Sequence, residues 1–230
     1  MRLDKYISNA TDLSRNEVKR LIKSGSVTID DQPAETPALK ILGGEKVCID
    51  GSPIARPQHR YFMLNKPAGV VSATKDSEHP TAIDLIYEHR SHELQIAGRL
   101  DIDATGLLLI TDDGHWNHRL TSPRTECPKV YRVTLAEPVK PHYDEKLRHG
   151  IWLESEKRRC LPADMKVIDE QTVILTITEG KYHQVKRMFA ALDNHVESLH
   201  RIGIGEIVLD ETLEPGDYRY LTGEEIASIS

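Results

Sequence analysis

The chain begins with two short stretches in which apolar residues recur at helical spacing. The apolar positions are Leu3, Tyr6 and Ile7 in the first stretch and Val18, Leu21 and Ile22 in the second. Ser14 and Glu17 form an S-x-x-E capping box, which starts a helix, and Ser24 to Gly25 ends it. Val27 to Ile29 and Lys46 to Ile49 lie next to turn residues and predict two strands. The first 50 residues therefore predict one compact unit.

Beyond residue 60 the pattern changes to apolar runs that are typical of strands. Six such runs are present: Tyr61 to Asn65, Leu94 to Ala97, Leu107 to Thr111, Val130 to Leu135, Val173 to Thr178 and Ile207 to Leu209. Helical spacing is clearest at Val185, Met188, Phe189 and Leu192. Thr222 and Glu225 form a second capping box. This region predicts an α+β fold with helices flanking a mixed, mainly antiparallel sheet.

A polar stretch with two prolines, Ser52 to Arg60, separates the two patterns and is typical of a linker. A chain of 230 residues is also longer than one ordinary domain of about 100 to 150 residues. We therefore expect two domains, residues 1–58 with the linker included and residues 59–230.

Composition is that of a folded protein, with 39% hydrophobic residues. The apolar runs are much shorter than the roughly 18 to 20 residues of a membrane span, and the N-terminus lacks the apolar segment of a signal peptide. Cys48, Cys127 and Cys160 stand far apart without a CxxC pair, which argues against a disulfide framework or a zinc site. We expect a cytoplasmic protein, not associated with a membrane, with free buried thiols.

Charge is distributed unevenly along the chain. The net charge is −6, but residues 1–60 hold ten Lys or Arg against eight Asp or Glu. On the second predicted helix, four basic residues lie largely opposite the apolar positions: Arg15, Lys19, Arg20 and Lys23. This basic arc can bind the phosphates of a nucleic acid, although a solvated amphipathic helix has the same pattern.

The most unusual segment is the polar loop Gly98 to Gly106, which lies between two predicted strands. It presents Asp101 and Asp103 beside a sheet, where functional sites are often built. A calcium loop would need further oxygen ligands where the chain instead continues into Leu107 to Leu109. No metal site is expected, and a plain turn held by aspartate side chains is the alternative to a reactive loop.

Three further segments accompany this loop. They read Y-F-M-L-N-K-P-A-G from Tyr61 to Gly69, Y-R-V-T-L from Tyr131 to Leu135, and E-G-K-Y-H-Q-V-K-R-M from Glu179 to Met188. Together with the Gly98 to Gly106 loop they resemble the pseudouridine synthases, in the branch that modifies bacterial ribosomal RNA. The region from Arg2 to Val27 is similar to the S4-type RNA-binding module of that branch, so the resemblance covers nearly the whole chain.

The resemblance implies roles for individual residues. Asp101 would be the catalytic aspartate, Tyr131 the residue that packs on the target base, and Lys186 the basic partner of Asp101. The RNA contacts would be the basic arc together with Lys66 and Arg99. Considered singly, Tyr131 could instead be a sheet-face aromatic, Lys186 a solvated helix residue, and Asp103 the reactive acid. We interpret Asp103 as a loop-structuring residue and His183 as a hydrogen-bonding residue at a helix start.

The implied reaction converts uridine to its C-glycoside isomer without net redox change, so no cofactor and no metal are expected. A carboxylate can attack C1′ or act as a base at C2′, and in either role it must be ionised. The resemblance implies uridine 516 of 16S rRNA as the target, in free RNA or in a small-subunit assembly intermediate, and we expect a monomer. A 23S rRNA site is the nearest alternative, and a non-catalytic S4-type RNA-binding assembly factor is a second.

Overall fold

The computed structural model describes residues 1–154 and 156–229. These residues form two compact units, Met1–His59 and a second that begins at Arg60. The boundary falls at the end of the predicted linker. The start of that stretch is not a linker, because Ser52 and Pro53 form a short strand that pairs with the strand at Val47–Ile49.

The first unit consists of two helices and a small sheet. Its elements are α1 (Leu3–Ala10), α2 (Arg15–Lys23), β1 (Val27–Ile29), β2 (Gln32–Pro33), β3 (Val47–Ile49) and β4 (Ser52–Pro53). The strands lie in the order β2-β1-β3-β4, and all neighbours are antiparallel. Leu3, Ile7, Val18 and Ile22 are buried in one apolar cluster, as the helical spacing predicts.

Two local features fix the helices of this unit. The predicted capping box is confirmed: the Ser14 side chain accepts from the Glu17 backbone N–H, and the Glu17 carboxylate accepts from the Ser14 N–H at 2.8 Å. In α1, the buried carboxylate of Asp4 accepts hydrogen bonds from the guanidinium groups of Arg2 and Arg15, at 3.0 Å and 2.8 Å. Because Arg15 lies on α2, this ion pair joins the two helices.

The second unit is built on one large sheet. Its strands are β5 (Tyr61–Lys66), β6 (Gln95–Ala97), β7 (Thr105–Thr111), β8 (Lys129–Leu135), β9 (Trp152–Leu153), β10 (Arg158–Arg159), β11 (Asp164–Val167), β12 (Thr172–Ile177), β13 (Val196–Ile204), β14 (Ile207–Val208) and β15 (Tyr218–Tyr220). Its helices are α3 (Gly114–Thr121), α4 (Tyr143–Arg148), α5 (Gln184–Ala190) and α6 (Gly223–Ala227), with 3-10 turns at Ser91–Glu93 and Pro123–Thr125.

The order along the large sheet is β11-β12-β8-β13-β7-β5-β15, with β6 added on β7 and β14 on β13, while β9 and β10 pair separately. β13 and β7 are parallel, and the other pairs formed by these strands are antiparallel. The predicted mixed, mainly antiparallel sheet is therefore confirmed. All six predicted strands are present, with ends shifted by up to two residues.

Both faces of β7 are buried, which explains its unbroken apolar sequence. Leu108 and Ile110 pack into one core with Phe62 of β5, whereas Leu107 and Leu109 pack into a second core on the opposite face with Trp116 of α3. The loop that carries Asp101 leads directly into this strand. It is therefore anchored to a strand that is buried on both faces.

The cysteines are free, with Cys48 and Cys160 buried and Cys127 partly exposed, so the prediction of burial is wrong for Cys127. Among the helices in the described residues, none is long and apolar enough to cross a membrane.

Candidate active site

The Gly98 to Gly106 loop joins β6 to β7 and is held from β13. Arg201 of β13 is buried, and its guanidinium donates to the carbonyl oxygens of Gly98, Arg99 and Leu107 at 2.7, 3.3 and 2.8 Å. At Gly106, where φ is +96°, a Cβ atom would lie 2.3 Å from the Arg201 carbonyl oxygen. The loop end therefore requires glycine for both its backbone angle and its close approach to β13.

Lys66, at the end of β5, holds the same loop from within the protein. Its side chain is fully buried, and its ammonium group donates to the carbonyl oxygens of Pro67, Ile102 and Ala104 at 2.8, 3.3 and 2.7 Å. Burial lowers the pKa of Lys66 to about 8. The RNA contact expected of Lys66 would require its ammonium group to leave these three carbonyl oxygens and the protein interior.

Ser72 provides a third attachment. Its hydroxyl donates to the carbonyl oxygen of Leu100 at 2.8 Å and accepts from the Leu100 N–H at 3.0 Å. The backbone N–H of Gly69 also donates to the Ile102 carbonyl at 2.8 Å. Both residues flanking Asp101 are thus tied to the segment that follows β5, so the Asp101 backbone is held on both sides.

The two aspartates of the loop differ in exposure and in partners. The Asp103 side chain is 65% exposed and accepts from Lys186 Nζ at 2.6 and 2.7 Å. The Asp101 side chain is 25% exposed, with one oxygen 3.7 Å from Lys186 Nζ and the other 3.4 Å from His183 Nε2. The hydrogen bond from Lys186 lowers the pKa of Asp103. Lys186 therefore lies between both carboxylates, with its hydrogen bonds directed to Asp103.

Asp101 also lines a cavity of about 760 Å³, together with Tyr131, Arg99, Lys181 and His183. This volume lies within the range of small-ligand sites and can hold a nucleotide. Tyr131 lies on β8, and its side chain is 8% exposed. Asp101 and Tyr131 come from segments 30 residues apart, and the fold brings them to the same cavity.

The turn before α5 also lines the cavity. Glu179 accepts from Lys181 Nζ, from Gln184 Nε2 at 2.8 Å and from the Leu161 N–H at 2.9 Å. His183 has a left-handed backbone, with φ of +47°, and is the N-cap residue that precedes α5. The sequence predicted that His183 lies at a helix start. Its position beside Asp101 was not predicted, because no pattern in the sequence indicates that these two residues are close together.

The remaining predicted RNA contacts lie in two places. Arg99 is exposed at the cavity. Arg15, Lys19, Arg20 and Lys23 are exposed on α2 of the first unit, and Arg15 is also paired with Asp4. The chemical content of the site is an ionisable carboxylate beside a cation, an adjoining tyrosine and a cavity of nucleotide size. Among the described residues, no group of three His, Cys, Asp or Glu side chains is arranged to hold a metal ion.

Family models match both units of the chain. Residues 60–191 match the family described as RNA pseudouridylate synthase, and residues 1–47 match the S4 domain. The first match alone spans more than half of the chain. The chain therefore belongs to the RNA pseudouridylate synthase family and carries an N-terminal S4 domain.

Individual relatives are similar over the whole length. The protein named ribosomal small subunit pseudouridine synthase A from Vibrio parahaemolyticus is 52% identical over 231 residues, with 100% of this chain and 99% of that protein covered. The protein of the same name from Escherichia coli is 51% identical, with 100% of both covered. A solved structure described as a crystal structure of pseudouridylate synthase has a TM-score of 0.73 and 43% identity over 100% of both chains.

Proposed function

We propose that the protein isomerises uridine 516 of 16S rRNA to pseudouridine. The observation that carries this proposal is the Asp101 carboxylate at the wall of a nucleotide-sized cavity that Tyr131 also lines. Full-length similarity to proteins named ribosomal small subunit pseudouridine synthase A supports small-subunit RNA as the substrate.

The reaction breaks the N1–C1′ bond, turns the base and forms a C5–C1′ bond. The C5 proton leaves and N1 gains a proton, so the product is an isomer and no electrons are transferred. The Asp101 carboxylate either attacks C1′ or removes the C2′ proton, and both routes need the ionised form. Lys186 Nζ, 3.7 Å from an Asp101 carboxylate oxygen, places a positive charge beside that carboxylate and is proposed to orient it.

Tyr131 is proposed to pack on the extruded base. Its strand neighbours Val133 and Leu135 are buried on the same face, so its ring extends an apolar wall, while the phenol oxygen can reach polar atoms of the nucleotide. A uridine in structured RNA must leave its stack to reach Asp101, at a cost of a few kcal/mol, and contact with an aromatic ring offsets part of that cost.

The two domains are proposed to divide binding from chemistry. Residues 1–58 would bind rRNA through the exposed basic arc on α2, and residues 59–230 would carry the reaction, with Arg99 contacting RNA at the cavity. The partner would be 16S rRNA or a small-subunit assembly intermediate in the cytoplasm, and the enzyme would act as a monomer without a cofactor.

Purified protein incubated separately with unmodified 16S and 23S transcripts tests this function. Mass-spectrometric mapping should find pseudouridine at position 516 of the 16S transcript and no new pseudouridine in the 23S transcript. Modification confined to 23S RNA would refute the target. Tight binding without any pseudouridine, in free RNA and in small-subunit assembly intermediates alike, would favour a non-catalytic assembly factor.

A further inference from the structure

An exposed aromatic ring, that of Tyr182, stands at the cavity. Tyr182 is 75% exposed, which is high for a tyrosine. Its ring stacks on that of His183, with centroids 3.8 Å apart and planes 19° from parallel. Both residues line the cavity that contains Asp101. The stack covers one face of the tyrosine ring and leaves the rest of the side chain to solvent.

The turn that carries this stack is held firmly. The Arg187 guanidinium donates to the Tyr182 carbonyl oxygen at 2.8 Å, and the Gln184 side chain accepts from the Lys181 N–H at 2.9 Å. The His183 carbonyl accepts the first backbone hydrogen bond of α5 at 3.0 Å. Since the backbone on both sides of the two rings is fixed, their presentation to solvent is a property of the fold and not of a loose loop.

The His183 ring also fixes how far the stack lies from the reacting group. Its Nε2 atom is 3.4 Å from an Asp101 carboxylate oxygen, and its ring centroid is 3.8 Å from that of Tyr182, so the stack is joined to the reacting group through His183. A nucleotide whose C1′ lies at Asp101 is covalently joined to neighbours on both sides, so the bases of these neighbours are within reach of the rim of the cavity. Single-stranded bases bind open aromatic faces, which every base can do through its own π-face.

We propose that the Tyr182–His183 stack is a subsite for the base of a nucleotide adjacent to the target uridine. The inference rests on the proposed function, because it takes the target uridine to lie at Asp101. Nucleobase, Tyr182 and His183 would form a continuous three-ring stack, which holds the RNA strand at the cavity mouth once the target has been extruded. Arg99, which is exposed at the same cavity, supplies nearby positive charge for the phosphates that join the two nucleotides.

Substitution of Tyr182 tests the subsite on an rRNA fragment that the wild-type enzyme modifies. Tyr182→Ala should weaken binding and raise KM by roughly 5- to 150-fold, the range for removal of one base stack, while kcat at saturation changes less than about threefold. Tyr182→Phe and Tyr182→Trp should stay within about threefold of wild type. The matched control is Tyr87→Ala, which removes another exposed tyrosine, 86% exposed and not part of the cavity.

A coupling experiment separates stacking from a structural role. The same fragment is prepared with an abasic site on the 5′ side of the target, and separately on the 3′ side. At one of these positions, the abasic RNA should bind the wild-type enzyme as weakly as the intact RNA binds Tyr182→Ala. At that position the two changes should not add, so Tyr182→Ala should bind the abasic RNA no more weakly than it binds the intact RNA. Unchanged affinity of Tyr182→Ala for intact RNA, or effects that multiply at both positions, would overturn the subsite. If the wild-type enzyme forms pseudouridine in no rRNA fragment and in no small-subunit assembly intermediate, the proposed function itself is refuted, which is a different result.

Discussion

At the scale of single residues, the site depends on how the protein treats two aspartates that are two positions apart. Asp103 is mostly exposed and takes the hydrogen bonds of Lys186, whereas Asp101 lies at the cavity wall. A carboxylate whose oxygens already accept short bonds from an ammonium is less available to a substrate. The arrangement therefore favours Asp101 as the reacting group and Asp103 as the residue that positions Lys186.

Substitution by asparagine distinguishes the two roles, since it keeps shape but removes the charge. Asp101→Asn should reduce the rate of pseudouridine formation on the order of 10³-fold or more, with RNA affinity largely kept. Asp103→Asn should reduce this rate by roughly tenfold to a hundredfold at most. Single-turnover assays at saturating enzyme measure both. The reverse ranking would move the reactive acid to Asp103.

Substitution of Tyr131 separates the contribution of its aromatic ring from that of its hydroxyl group. If the ring supplies the contact, Tyr131→Phe should bind RNA normally and react at a near wild-type rate, whereas Tyr131→Leu should lose both positioning and rate. If the hydroxyl moves a proton, Tyr131→Phe should already be nearly inactive. Single-turnover kinetics with both variants decides between these outcomes, and wild-type rates in both would remove Tyr131 from the site.

Asp4 predicts a pH dependence in the first unit. Hydrogen bonds from Arg2 and then Arg15, opposed by burial, lower the pKa of Asp4 to about 2. Because the pKa of Asp4 is lower in the folded state than in the unfolded state, where it is near 4, the ionised carboxylate stabilises the folded protein at pH values above 4. This contribution, about 2 kcal/mol, is lost as the pH falls towards 2. Hydrogen exchange measured on peptides from α1 and α2 should show less protection in Asp4→Asn than in the wild type. This difference in protection should be constant above pH 5 and shrink below pH 4. A pH-independent difference would contradict it.

Single residues also mark the limit of prediction from sequence. The motif order indicated Asp101, Tyr131 and Lys186, and the structure brings all three to one region. The burial of Lys66, which disfavours the RNA contact expected of it, could not be predicted because it depends on carbonyl groups 36 and 38 residues further along the chain. Arg201 was missed for the same reason, since its partners lie about a hundred residues earlier.

At the scale of elements, the parallel contact between β7 and β13 positions the loop. Gly106 pairs with Arg201 at this contact, where the two backbones approach too closely for a side chain. β7 could be predicted because it is apolar on both faces. β13 could not, because the polar residues Glu197, Ser198, His200 and Arg201 interrupt its pattern. α3 was missed because Trp116 and Leu120 are its only buried residues among those the structure describes, too few for a helical period.

Gly106→Ala tests this contact. A Cβ atom would meet the Arg201 backbone and the left-handed angle would be strained, so the free energy of unfolding should fall by about 2–4 kcal/mol and activity should fall with it. Gly114→Ala is the control, because Gly114 begins α3 with no atom near its Cβ position. Thermal unfolding measures both, and equal stability of the two variants would contradict the account.

At the scale of the whole molecule, the net charge of −6 conceals a basic arc on the smaller unit. All four of its residues are exposed on α2, opposite the buried Val18 and Ile22. An acidic average therefore does not oppose RNA binding, because phosphates respond to the local field.

Lys19→Ala with Arg20→Ala should weaken binding of an rRNA fragment and flatten its log–log salt dependence by about 0.7 to 0.9 for each phosphate that the variant no longer neutralises. The single-turnover rate at saturation should be nearly unchanged, because these residues lie outside the catalytic unit. Lys140→Ala with Lys146→Ala removes the same charge from exposed positions of the second unit and should leave the slope unchanged. An unaltered salt dependence of binding in the Lys19→Ala, Arg20→Ala variant would favour the alternative that α2 is only a solvated amphipathic helix.

The central claim is that Asp101 of this chain forms a pseudouridine in small-subunit rRNA. It is tested most directly by mass-spectrometric mapping of both large rRNAs from a strain in which the gene has been deleted, complemented with either the wild-type or the Asp101→Asn chain. We predict that pseudouridine 516 of 16S rRNA disappears on deletion, returns with the wild-type chain and does not return with Asp101→Asn. An unchanged map in the deletion strain, or restoration by Asp101→Asn, would contradict the claim.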